Sequence, residues 1–317
     1  MAQTGAMVQS WPFSPGCDAA GIIVKTGPNA VSAQGKRWEN GDRVFGCTRL
    51  GTRGHSPWAE WFLMDARLAI PVPPNISLEQ ASTLGVALLT AGLGVWGCLG
   101  VRLLDSTARF PQSIASDGRW ALVLGGASSV GYAAVQLLIA CGFRVVATCS
   151  ERSRPGLEKL GVRCVSYALP QEELIAAILR HVEGAVGCVF DAVGSNSGLI
   201  VPLVAAMERS AEGAGAQEKM RLAFTTTNAF VPLPGAEGLE AEAIQLGPIG
   251  QDGPEARALN DALACYIPVL YKLLERGTVG VGPYQVVGER VEGIPEAWEI
   301  QKTGKVAGKV VVKVASE

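Results

Sequence analysis

The sequence predicts an α/β protein: a doubly wound parallel sheet accompanied by a smaller β-rich region. Three observations carry this. From Trp120 onward, short apolar runs alternate with amphipathic stretches at strand–helix spacing. A glycine turn, Gly125-Gly126-Ala127-Ser128-Ser129-Val130-Gly131, joins the first of these strands to the first of these helices. Residues 1–75, by contrast, hold only short apolar or alternating runs punctuated by Gly, Pro and Asn.

Taken in order, GIIVKTG, DRVFGC and AEWFLMD read as β-structure in the first region. NISLEQASTLG then opens a helix, with Ser77 as N-cap and Gln80 three residues on completing a capping box. Helical structure continues through LLTAGLGVW, and the polar stretch 104–119 reads as a loop. ALVLGG is a strand, YAAVQLLIACG a helix, FRVVATCS a strand and RPGLEKLG a helix. VRCVSYA is a strand, QEELIAAILRHVE a helix with Glu172 and Glu173 in its first turn, and AVGCVFDAVG a strand. Stretches 208–221 and 233–257, rich in Gly, Ala, Pro and charge, read as loops. The chain closes with a helix (IPVLYKLLERG), a strand (YQVVG), a helix (IPEAWEIQKTG) and a last strand (KVVVKV).

Composition excludes several classes. Over 317 residues, 48% are hydrophobic and 18% charged, which supplies a core and excludes a disordered chain. A formal net charge of −2 leaves no basic footprint for nucleic acid and no polybasic segment for a membrane surface. Residues 80–101 and 120–143 carry no charged side chain. The first holds five glycines and the second contains the strand–turn–helix just described, so both read as buried segments rather than membrane spans. The eight cysteines include no C-x-x-C, and no secretory leader is visible in MAQTGAMVQSWPF. Reduced thiols in a cytoplasmic protein are expected, Cys17 and Cys47 as inert packing. Two isolated histidines, His55 and His181, do not make a zinc site.

The glycine turn is the candidate binding site. Against G-x-G-x-x-G it presents Gly126, Ser128 and Gly131, with serine in the middle position. Small residues let the backbone approach a pyrophosphate, and a helix N-terminus offers it unpaired N–H groups. The turn also fits a tight strand–helix connection with no ligand. At the end of the second strand, Ser150, Arg152, Ser153 and Arg154 suit a ribose 2′-phosphate, which favours NADPH over NADH. Glu151 stands among them and would bind a ribose hydroxyl instead if it took the acid's position. Asp191, ending the fourth strand, reads as a cap for the following turn.

Beyond these local readings, Gly16-Cys17-Asp18-Ala19-Ala20-Gly21 followed by Gly41-Asp42-Arg43-Val44 resembles the P-G-x-D-x-x-G…G-D-R-V signature of the medium-chain dehydrogenases/reductases. AEWF, STLGVALLTAGLGVW, GGASSVG and the closing GKVAGKVVVKV fall in that family's order, so the resemblance covers nearly the whole chain. It is closest to the zinc-independent branch, and within it to the fungal trans-acting enoyl reductases of polyketide biosynthesis. The resemblance implies a Rossmann domain over 91–254, with a GroES-like β-domain formed by 1–90 and completed by 255–317. Relatives carry a longer N-terminal region, so that β-domain is expected to lack its first strands and an N-P-x-D-x-K-like segment. Where zinc alcohol dehydrogenases have G-H-E, this chain has Gly16-Cys17-Asp18, and no metal is expected.

Carried over residue by residue, the resemblance places Ala127, Ser128, Ser129 and Val130 around the pyrophosphate, with Ser150, Arg152 and Ser153 at the 2′-phosphate and Tyr167 beside it. Val306 and Ala307 would meet the nicotinamide. Thr90, Ala91, Gly92, Leu93, Gly94, Val95, Trp96 and Gly97 would line the substrate channel, Thr90 supplying the candidate catalytic hydroxyl, with Thr226, Asn228 and Phe230 as a far wall. The implied reaction is NADPH-dependent reduction of an enoyl thioester presented by the acyl carrier domain of a polyketide synthase, the enzyme acting as a monomer rather than a homodimer. Two alternatives remain open: a stand-alone quinone or enone oxidoreductase, and a non-redox protein that retains the fold.

Overall fold

A computed structural model describes residues 8, 11, 15–102, 118–184, 186–194, 196–212, 221–225 and 239–315. The chain divides into two compact units, one formed by 1–89 with 246–317 and the other by 90–245, against the 91–254 expected for the central domain.

The first unit begins with an antiparallel sheet in the order β1 (Asp18–Ile22), β2 (Arg43–Cys47) and β3 (Ile70–Pro71). AEWFLMD does not form a strand. Its last residue, Asp65, instead accepts from Nε and Nη2 of Arg49 at 2.9 and 2.6 Å, a fork-on-carboxylate pair that holds the segment irregular. Trp38 is buried and donates its indole N–H to the Ala66 carbonyl at 2.7 Å. Helix α1 (Leu78–Ala81) starts on the predicted capping box: Ser77 Oγ accepts from the Gln80 amide, and Gln80 Oε1 from the Ser77 amide at 2.9 Å. Helix α2 (Gly85–Gly92) follows and, from Thr90 on, belongs to the second unit, as does the π-helical turn Leu93–Cys98 that it runs into, in which the Leu99 amide reaches back to the Gly94 carbonyl at 2.8 Å.

The second unit is built on six parallel strands: β4 (Trp120–Leu124), β5 (Arg144–Cys149), β6 (Arg163–Ser166), β7 (Val186–Asp191), β8 (Arg221–Thr225) and β9 (Glu240–Ile244). Their order is β6-β5-β4-β7-β8-β9, so the winding reverses beside β4. Every residue of β4 is buried, as a strand covered on both faces requires. Helices α3 (Ser129–Ala140), α4 (Arg154–Glu158), α5 (Gln171–His181) and α6 (Ser197–Glu212) connect the strands. One core packs Leu122, Val146, Val165, Ile178, Val189 and Leu203 together.

Two stretches read as loops are partly regular. The segment ERSAE continues α6 to Glu212, because Ala, Glu and Arg are good helix formers whatever their polarity. EAEAI forms β9, an outermost strand in which exposed Glu240 and Glu242 alternate with Ala241 and Ala243; both residue types are poor strand formers, and the acidic pair protects a sheet edge.

The chain then returns to the first unit. Helix α7 (Pro254–Glu275) begins well before the expected IPVLYKLLERG, with Pro254 in its first turn. Strand β10 (Tyr284–Glu289), helix α8 (Ile294–Lys302) and strand β11 (Lys309–Lys313) close it, β10 and β11 pairing in parallel. Among the described residues no helix is long and apolar enough to cross a membrane.

Candidate functional site

The glycine turn lies at the carboxyl end of β4, beside the reversal in strand order where open α/β sheets bind ligands. It is fastened to β5. The Gly125 amide donates to Thr148 Oγ1 and the Gly126 amide to the Thr148 carbonyl, both at 2.9 Å. Thr148 is buried, and its hydroxyl anchors the turn. The sequence signal was a single polar residue inside the apolar run VVATC, which the motif reading passed over.

Close packing demands the two outer glycines. A Cβ on Gly126 would lie 2.6 Å from the Ala147 methyl, and one on Gly131 only 2.2 Å from the Gly125 carbonyl oxygen. The central serine has its own function. Ser128 is extended (φ −67°, ψ 160°), and its Oγ accepts from the Gly131 amide at 3.0 Å as the N-cap of α3. The departure from glycine therefore secures the helix start. The first-turn amides of Ser129 and Val130 have no intrahelical acceptor, and α3 has no acidic residue in its first turn. That cradle suits an anionic group.

Across the sheet, Asp191 is buried and its Oδ1 accepts from the Val193 amide at 3.0 Å and from Asn196 Nδ2 at 2.8 Å, so it holds the turn after β7. The Val193 side chain reaches over Gly125, a neighbour of the turn that the sequence did not single out.

The end of β5 carries the second cluster. Ser150 and Ser153 bring their hydroxyl oxygens within 3.0 Å of each other, and the Ser153 amide donates to the Ser150 carbonyl at 3.0 Å. Arg152 is exposed. Tyr167 is fixed through its amide to the Cys149 carbonyl at 3.2 Å and leaves its ring largely in solvent. Arg154 is committed elsewhere: its Nε and Nη2 clasp Glu151 at 2.8 and 2.7 Å, and its Nη1 donates to the Cys164 carbonyl at 2.7 Å. The guanidinium holds the Glu151 carboxyl below its ordinary range.

The expected substrate segment runs through α2 and the π-turn. Ala91, Val95 and Trp96 are buried there, Thr90 retains 7% of its surface, Leu93 is half-buried and Gly97 is exposed. Thr226, Asn228 and Phe230 lie outside the described residues. Val306, half-buried, and Ala307, exposed, belong to the turn before β11 in the other unit. In that unit the neighbouring thiol of partly exposed Cys17, then burial, raises the buried Cys47 thiol well above its usual range. Among the described residues no group of three or more His, Cys, Asp or Glu is arranged to hold a metal ion. A groove of about 770 Å³ also lies within the first unit, walled by Ile22, Val24, Trp38, Trp61, Leu63 and Val311.

Residues 1–74 match the alcohol dehydrogenase GroES-like domain. Over 306 residues the chain is 28% identical to the trans-enoyl reductase traG of Penicillium crustosum, spanning 94% of this chain and 81% of that one. A solved alcohol dehydrogenase superfamily protein from Novosphingobium aromaticivorans superimposes with a TM-score of 0.74 at 20% identity, covering 99% of this chain and 86% of its own. The CurK enoyl reductase does so with a TM-score of 0.63, also at 20%, covering 93% and 77%. These likenesses establish the fold: a Rossmann-like parallel sheet with a GroES-like domain.

Proposed function

We propose that this chain, a homologue of the fungal trans-enoyl reductases on the medium-chain dehydrogenase/reductase fold, reduces an enoyl thioester of polyketide biosynthesis with NADPH. The observation that carries the reading is the pairing of the anion cradle at α3 with the serine and arginine cluster at the end of β5. A dinucleotide 2′-phosphate needs both, one for its pyrophosphate and one for its extra charge.

NADPH, when bound, would supply the hydride that adds to the β-carbon of the enoyl thioester, the α-carbon taking a proton. The chain's own part is binding and orientation. Ser129 and Val130 amides receive the pyrophosphate, while Ser128 holds the helix start that presents them. Ser150, Ser153 and Arg152 receive the 2′-phosphate, with Tyr167 beside it. Asp191 fixes the turn whose Val193 side chain lies over Gly125. Val306 and Ala307 would meet the nicotinamide end, and Leu93 and Gly97 offer surface to the acyl chain.

Titration of the purified chain with NADPH and, separately, NADH, followed by nicotinamide fluorescence, tests this. Micromolar NADPH binding with NADH weaker by about tenfold or more is expected. Failure to bind either overturns the reading. Turnover of enoyl thioesters of pantetheine, with no turnover of small free quinones, is the expected second result; the reverse preference would assign a quinone or enone reductase instead.

A further inference from the structure

We propose that Arg154 sets the choice between the two nicotinamide cofactors, by drawing the Glu151 carboxylate to the β6 side of β5 and away from the glycine turn. The inference rests on the cofactor reading above and adds a positioning residue to it.

Glu151 is the one acidic residue in the segment Ser150–Arg154 that follows β5. A carboxylate in this part of a dinucleotide fold accepts from the ribose 2′-hydroxyl and repels a 2′-phosphate. Left loose, Glu151 would therefore oppose the neighbouring serines and Arg152. It is not loose. Arg154 grips both carboxylate oxygens, at 2.7 and 2.8 Å.

The direction of that grip follows from the sheet. Strand β5 lies between β4, which leads into the glycine turn, and β6. Arg154 is itself anchored on β6, its Nη1 donating to the Cys164 carbonyl at 2.7 Å. Ser166, the last residue of β6, also favours the charged form of Glu151. Both partners thus lie on the far side of β5 from the turn. An exposed ion pair alone would be weak. Here three of the guanidinium's donors are placed at once, and its fork matches the carboxylate. Charge follows geometry: Arg154, which Glu158 also approaches at 3.7 Å, offsets the Glu151 charge, and exposed Arg152 supplies the positive charge for a phosphate.

The test is the ratio of NADH to NADPH dissociation constants, read by nicotinamide fluorescence on the full chain. In Arg154→Gln the ratio is expected to fall by about tenfold, NADPH binding weakening and NADH binding tightening. Arg154→Lys, which keeps the charge and loses the fork, is expected to fall less. Glu151→Gln/Arg154→Gln is expected to return the ratio to the parent value, which a merely structural loss would not do. A ratio that stays within about twofold in Arg154→Gln, or a double variant that fails to restore it, overturns the inference while leaving the cofactor reading intact. A parent chain that binds neither cofactor overturns both.

Discussion

Asp18 and Lys309, 291 residues apart in the sequence, form an ion pair within the first unit. The second carboxylate oxygen of Asp18 accepts from the Val86 amide at 2.5 Å. One side chain thus ties β1, the start of α2 and β11 together, and it belongs to the same glycine- and aspartate-bearing stretch that marks the family resemblance. The aspartate of that signature is accounted for here by assembly of its unit.

Asp18→Asn keeps an acceptor for Val86 and loses the charge, so it is expected to cost about 1 kcal/mol. Asp18→Ala also strands the Val86 amide, and about 2–3 kcal/mol is expected. Urea unfolding of the two variants measures the difference. Equal losses would mean that the Val86 contact adds nothing.

The glycine turn allows a sharper comparison. Gly131→Ala places a methyl 2.2 Å from a backbone oxygen that cannot retreat without breaking the attachment of the turn to Thr148. A loss of about 2–3 kcal/mol is expected, together with loss of nucleotide binding. Ser128→Ala removes the cap and should cost about 1 kcal/mol, whereas Ser128→Gly, which restores the G-x-G-x-x-G pattern, should cost only a few tenths. Thermal melts of the three variants give the order. If Ser128→Ala melts with the parent, the hydroxyl does not act as the cap.

Much of this was legible because local chemistry leaves local marks. The Ser77–Gln80 capping box and the strands β4 to β7 follow from spacing alone, and Asp191 was read as the cap it forms. What escaped reading was set at longer range. Thr148 acts on a turn that precedes it by a whole helix, and β9 is recognised as a strand only through its pairing with β8. At the end of β5, the letters Ser-Glu-Arg-Ser-Arg contain both cofactor preferences. Only the side-chain directions show Arg154 engaged with Glu151 and Cys164 rather than waiting for a phosphate.

Thr148 fastens the glycine turn to β5. Thr148→Val keeps the shape and the β-propensity of the strand and strands the Gly125 amide. A loss of about 1–3 kcal/mol is expected, with NADPH and NADH weakened in parallel, because the turn loosens and the β5 end does not. Thr148→Ser keeps the hydroxyl and should retain binding. A change in the cofactor ratio in Thr148→Val would show that the two clusters are coupled.

The buried thiols give a pH dependence whose sign is fixed. Burial pushes Cys188 up to about 12 and Cys98 also to about 12. Cys141 rises by burial to about 11, even though the Trp96 indole N–H favours its thiolate. Unfolded, these groups titrate near 9.0. Below that value both states are protonated and the thiols leave stability unchanged. Between it and the folded values the unfolded chain releases protons that the folded chain keeps, so stability falls as pH rises, by up to about 1.4 kcal/mol per pH unit for each thiol. Urea midpoints under reducing conditions should therefore hold steady up to about pH 8.5 and decline above it. Other groups also titrate in that range, so the contrast that decides is Cys188→Ala. It lowers stability at neutral pH through the atoms lost from the core, yet it should flatten the alkaline decline by one thiol's share. An identical slope in parent and variant would show that Cys188 is not shielded as its burial requires.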